Sequence, residues 1–369
     1  MSVMRNPFRP SFGASPYFLA GRDELLRGFQ LSLMEGPGSP NRALLLSGVR
    51  GVGKTVLLNE LEDTAKTQGW VTLRCYPRAN MIEELVHTTI PQAIAALNPQ
   101  KQRTITGANI AGLGGIRTDE NPEAVESTPT LITRLHELAE HCTGIFLTLD
   151  ELQAAQPDHL QELATAVQDL IRDEYEIALA CAGLPHGVEK LLQHEGTTFM
   201  RRATRVDLHA VADADVAITL RTTIEDAGKT IEETALHQAM DLCRGYPYLI
   251  QVVGSLAWAQ ASLQDSPIIT EEHTHAISAD AINRMMTQVH RPALMQVPDG
   301  EIAFLQAMAS FDGVDVPTAE IAQALGTSPN GISARRQRLI IRDLIESAGF
   351  GAVRFTLPYL GEYVRELSA

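Results

Sequence analysis

Gly48-Val49-Arg50-Gly51-Val52-Gly53-Lys54-Thr55 has the spacing of a phosphate-binding loop, GxxxxGK followed by Ser or Thr. Ala43-Leu44-Leu45-Leu46-Ser47 precedes it, a short apolar run that reads as a buried strand. Val56-Leu57-Leu58-Asn59-Glu60-Leu61-Glu62 follows, with leucines at helical spacing. The glycines therefore fall at a strand-to-helix turn, where the backbone amides of residues 48–55 can converge on phosphate. In that setting Lys54 reaches the outer phosphates of ATP, and Thr55 offers its hydroxyl to Mg2+.

Working outward, such a loop needs an acidic partner at the end of another strand. Gly144-Ile145-Phe146-Leu147-Thr148-Leu149-Asp150-Glu151 supplies an apolar strand that ends in two carboxylates. Asp150 is placed to hold the magnesium hydration shell, and Glu151 to polarise an attacking water as general base. Further strands are expected at residues 70–75, 176–183 and from about 205, with helices at 81–97, 129–142 and 157–171. Strands alternating with helices predict an α/β fold with a parallel sheet covered on both faces. Ligands of such sheets bind at the carboxyl ends of the strands. Residues 1–18, with Pro7, Pro10 and Pro16, read as an extended arm. The glycine-punctuated stretch 104–117 reads either as a projecting hairpin or as a surface loop.

At 369 residues, with 44% apolar and 20% charged side chains, the chain can bury two or three cores. No apolar run approaches bilayer length, and the N-terminus lacks the apolar core of a secretory signal. The expectation is a cytoplasmic protein with no membrane partner. Cys75, Cys142, Cys181 and Cys243 form no CxxC pair and are expected as reduced thiols. A net charge of -15 argues against a protein that coats nucleic acid with its whole surface. His273 and His275, two apart on an expected helix, do not share a face and are expected to be solvated rather than to form a ligand set.

Beyond residue 210 the pattern changes. Helical periodicity runs through 213–227, 231–243, 248–263 and 270–286, which reads as a helical lid over the nucleotide or as a bundle joining two domains. Pro292 and Pro298 suggest a linker. Helices at 301–311, 318–325 and 328–345, then a glycine turn between two short apolar runs, predict a winged helix-turn-helix. Its third helix carries Arg335, Arg336, Arg338 and Arg342 without an acidic residue between 328 and 342. Asn330, Ser333, Arg335, Arg336, Arg338 and, in the wing, Arg354 are candidates for contact with double-stranded DNA. A protein partner or self-association is the alternative for the same domain. Arg201 and Arg202, just ahead of the last core strand, are candidates for an arginine finger reaching a neighbouring subunit.

These segments together resemble the AAA+/STAND group of P-loop ATPases, and within it the origin-recognition initiators. Leu19-Ala20-Gly21-Arg22-Asp23-Glu24 is similar to the family's glycine-arginine-acidic box, residues 48–55 to its Walker A and Leu149-Asp150-Glu151 to its Walker B. Gly245-Tyr246-Pro247 resembles the GxP motif of STAND members. The resemblance implies ATP and ADP as ligands, Mg2+-dependent hydrolysis, and nucleotide contacts from Arg22 and Pro247. It also implies an arm at 1–18, an ATPase core at 19–210, a lid at 211–290 and a winged helix at 297–369. One departure is that the strand ending Cys181-Ala182-Gly183 lacks the polar sensor residue that many initiators carry there.

Overall fold

The computed structural model describes residues 5–11, 16, 19, 21–97, 128–311, 313–349 and 351–367. The glycine-punctuated stretch 104–117 lies outside the described residues, as does much of the arm. The core is a five-stranded sheet of β1 (Ala43–Gly48), β2 (Val71–Cys75), β3 (Ile145–Leu149), β4 (Ile177–Gly183) and β5 (Thr204–Leu208). All its strand pairs are parallel, in the order β2-β3-β4-β1-β5.

Every residue of β3 and β4 is buried, because helices cover both faces, and this is why their sequences read as continuous apolar runs. The period of two survives inside β4 as a difference in size. Ala178, Ala180 and Ala182 join the core that holds Leu57, Leu58 and Leu61 of the phosphate-loop helix Lys54–Thr67. Ile177, Leu179 and Cys181 join the opposite core with Leu163, Val167 and Leu170 of helix Pro157–Arg172. Three alanines let the phosphate-loop helix lie close on the sheet, which brings its first turn toward the end of β3.

The helix expected at 81–97 has a π turn, Leu85–Thr89, between Met81–Glu84 and Ile90–Leu97. Pro91 has no amide to donate, and the wider turn just before it absorbs the missing bond. The same arrangement recurs at π turn Met286–His290 before Pro292. Pro292 thus lies within a helical run, where the sequence suggests a linker.

The next helices are Asp213–Asp226, Glu233–Cys243, Pro247–Leu263, Glu271–Ala276 and Ser278–Met285. A small parallel pair, β6 (Thr230–Ile231) and β7 (Ile268–Ile269), ties their loops and is invisible to helical periodicity. His273 departs from its expected solvated place: it is buried, and its Nδ1 accepts from the Thr270 amide at 3.0 Å to cap a helix.

The C-terminal unit has helices Asp299–Ala309, Thr318–Ala324 and Pro329–Ile341, and an antiparallel sheet β8-β10-β9 of Val316–Pro317, Ala352–Phe355 and Ile345–Ser347. This order is compatible with a winged helix. A closing helix, Leu360–Glu366, was not expected from sequence. The unit shares one apolar core with the preceding helices: Leu249, Val253 and Trp258 pack in the same cluster as Leu294, Phe304, Leu305 and Leu360. Tyr359 adds a hydroxyl bond to the Leu242 carbonyl at 3.0 Å, and Arg244 pairs with Glu362 at 3.0 Å.

All four cysteines are free thiols, and burial pushes Cys181 up to about 12. Among the described residues no helix is long and apolar enough to cross a membrane.

Candidate functional site

The loop between β1 and helix Lys54–Thr67 turns on Gly51 and Gly53, at φ of +72° and +96°. Side chains are strained there, so glycine keeps the loop tight. Gly48 has a different reason: a Cβ on it would sit 2.9 Å from the Leu208 carbonyl oxygen. Lys54 is buried, and its Nζ donates to the Gly48 and Val49 carbonyls at 2.8 Å each. Burial lowers the Lys54 pKa, while the charges of Glu151, Asp343 and Asp150 oppose that shift.

Thr55 Oγ1 donates to Asp150 Oδ2 at 2.5 Å, which joins the loop after β1 to the end of β3 across the intervening β4. Two hard oxygen donors at the mouth of a phosphate loop fit Mg2+, which is commonly held by one or two protein oxygens together with substrate phosphates. Asp150 Oδ1 also accepts from the Glu151 amide at 2.8 Å. Glu151 itself has a left-handed backbone, φ +53°, uncommon for a residue with a side chain and frequent at functional sites. Its carboxylate accepts from Gln153 Nε2.

A cavity of about 550 Å³ opens over this loop, lined by Gly51, Lys54, Thr55, Glu151, Tyr246 and Pro247 among others. The volume suits a nucleotide-sized ligand. Tyr246 closes one side, its hydroxyl donating to the Arg50 carbonyl at 2.5 Å. Gly245 before it has φ +66°, and a Cβ there would lie 2.5 Å from the Val211 carbonyl oxygen. The motif Gly245-Tyr246-Pro247 thus anchors the lid helix Pro247–Leu263 against the phosphate loop. The N-terminal segment covers the far end. The ring of Phe8 lies against Gly254, Asn6 Nδ2 donates to the Ser255 carbonyl at 3.0 Å, and the Arg9 amide donates to Gln251 Oε1 at 3.0 Å.

Three sequence candidates fall elsewhere. Arg22 is outside the cavity lining; its Nη2 donates to the His209 carbonyl at 3.2 Å, and burial lowers its pKa against the opposing charge of Asp215. Arg201 and Arg202 are exposed, and Arg201 Nε donates to the Leu192 carbonyl at 2.7 Å.

The arginines of helix Pro329–Ile341 and its end are largely engaged within the chain. Buried Glu301 takes both Arg338 and, at 3.3 Å, Arg342. Arg336 Nη2 donates to Ser347 Oγ at 2.8 Å, and Arg354 pairs with Asp315 at 2.8 Å. Asn330 and Ser333 are exposed, and with Arg335 they lie outside these pairs.

Sequence reasoning missed Asp343 and Gln153 at the site. Asp343, just past helix Pro329–Ile341, is buried where the C-terminal unit meets the phosphate loop. Burial raises its carboxyl to about 6, against Lys54 and against the backbone amide and charge of Arg50, all of which favour the charged form. Its Oδ2 is buried without a hydrogen-bond partner. No local pattern marks an aspartate that follows an arginine-rich helix; only the tertiary fold brings it to Lys54.

Residues 19–177 match the AAA ATPase domain family, and residues 287–364 match a domain of unknown function (DUF8462). No curated protein matches the chain in sequence. Among solved structures, a Walker-type ATPase of Pyrococcus abyssi is similar over 94% of this chain and 96% of its own, at 17% identity and a TM-score of 0.63. The ORC2 protein of Aeropyrum pernix, in its ADPNP-ADP complexes, is similar over 97% of this chain and 96% of its own, at 14% identity and a TM-score of 0.58. With its phosphate loop, its Thr55–Asp150 link and its strand order in place, the chain carries an AAA ATPase domain over residues 19–177 and shares the AAA+ P-loop fold of these solved structures.

Proposed function

We propose that the protein is an ATP-hydrolysing switch whose C-terminal unit, read as a winged helix, changes its contacts with nucleotide state. In this reading Lys54 and the loop amides bind ATP phosphates, Thr55 and Asp150 hold Mg2+, and Glu151 takes a proton from the attacking water. Arg201 and Arg202 remain candidates for a finger toward a neighbouring copy. The observation that carries the coupling is the buried Asp343, whose carboxyl is acted on electrostatically by Lys54 and Arg50 of the phosphate loop. A carboxylate there competes with phosphate for the same cation and amide. Its Oδ2 is held by no hydrogen bond, so that oxygen is not locked in place when phosphate enters. Loading the site with ATP would therefore push on the C-terminal unit.

For the output we favour double-stranded DNA, met by Asn330, Ser333, Arg335, Arg336 and Arg338, with Arg354 in the wing. The Glu301 clamp on Arg338 and Arg342 favours a second reading, a STAND-type signalling ATPase in which the unit meets a protein partner. A duplex titration of the full chain, with and without magnesium-ATP, separates them. The first reading expects nucleotide-dependent binding at about 50 mM salt that weakens steeply toward about 200 mM and falls on Arg335→Ala. Absence of duplex binding at low salt in both nucleotide states would contradict DNA as the output.

A further inference from the structure

Gln153 lies two residues after Glu151 in the short turn Leu152–Ala154 and is exposed, with one side against the end of β4. Its amide bonds in two directions. Nε2 donates to Glu151 Oε2, and Oε1 accepts from the Leu184 backbone amide at 3.1 Å, immediately beyond the end of β4. On that packed side the space is limited. A Cβ on Gly183 would lie 3.1 Å from Gln153 Oε1, and a Cβ on Gly187 would lie 2.6 Å from Gln153 Cβ. Two glycines, at and just beyond the end of β4, thus leave room for Gln153, and buried Leu152 packs against the same strand end.

Glu151 needs such a partner. Its left-handed backbone turns it away from the path of β3, and Asp150 holds only its amide. Nothing in that backbone fixes the carboxylate. The Gln153 amide does: it ties one carboxylate oxygen to the main chain at the end of β4, while the residue as a whole still lines the cavity.

We propose that Gln153 is the positioning residue of Glu151, clamping its carboxylate to the end of β4 so that the other oxygen faces the attacking water. This rests on the reading of Glu151 as general base. The residue type matters. An amide donates to the carboxylate and accepts from the main chain at once, whereas a glutamate in its place would set two carboxylates against each other. Alanine would leave Glu151 free to swing. Displacements of this size in an outer contact commonly lower turnover by about 10- to 100-fold.

The test measures kcat, KM and equilibrium ATP affinity on the full chain for Gln153→Ala, Gln153→Glu, Glu151→Gln and the double variant Glu151→Gln/Gln153→Ala. The expected result is a fall in kcat of about 10- to 100-fold for both Gln153 variants, with ATP affinity within about twofold of wild type. In the Glu151→Gln background, removing Gln153 should cost less than about twofold more, because the group it positions is already gone. Unchanged or faster turnover in Gln153→Ala would overturn the proposal, the faster case meaning that Gln153 restrains the base. So would a loss of ATP affinity that accounts for the loss of rate, or full additivity in the double variant. If Glu151→Gln itself turns over normally, the base reading has failed, which is a distinct result.

Discussion

Replacing Glu151 by glutamine is expected to slow ATP turnover by about two to three orders of magnitude while leaving ATP affinity nearly unchanged. Glutamine keeps the size of the side chain and removes only its capacity to take a proton. The fold should tolerate it, since Glu151 is exposed on the cavity wall at the end of a buried strand. Binding should persist because the groups assigned to phosphate and metal, Lys54, Thr55 and Asp150, keep their bonds. The check is a single-turnover hydrolysis assay beside an equilibrium titration with ATP. A variant that hydrolyses ATP at the wild-type rate would remove Glu151 from the mechanism.

Lys54→Ala is the complementary case and should fail at binding. Lys54 is the buried cation of the site; its ammonium group donates to two loop carbonyls and feels the charges of three carboxylates. A phosphate bound in the loop would take over that charge. Removing it should weaken ATP affinity by about a hundredfold, or about 2.7 kcal/mol, the upper range for a charge-assisted hydrogen bond. Isothermal titration measures the loss, and a thermal melt shows whether the fold is kept. Wild-type affinity in a folded variant would mean that the loop does not bind phosphate through Lys54.

The nucleotide-binding half was legible because its signals are local. The loop, its flanking strand and helix, and the carboxylates at the end of β3 are each read from a few neighbouring residues, and the backbone geometry agrees with them. The central strands β1, β3 and β4 were also legible, since burial on both faces leaves unbroken apolar runs. What escaped depends on distant packing. The arginines of helix Pro329–Ile341 look like a free basic face in one dimension, yet Glu301 from an earlier helix folds under two arginines of the stretch. The two π turns follow from proline and its helical context jointly, so periodicity alone misplaced Pro292. Gln153 and Asp343 carry no motif of their own, and only the end of β4 and the phosphate loop make them meaningful.

Asp343 also gives the coupling an electrostatic sign. Burial, opposed by Lys54 and Arg50, places its carboxyl near 6, so it is charged at pH 7.5 and neutral at pH 5. In the proposed coupling the charged form competes with phosphate for Lys54 and the neutral form does not. The most direct measurement is therefore the affinity for magnesium-ATP of wild type and Asp343→Asn at these two pH values. The account predicts tighter binding by the variant at pH 7.5, on the order of tenfold, and a gap that closes at pH 5. Equal affinities at pH 7.5 would contradict the claim that the C-terminal unit reads the nucleotide through Asp343.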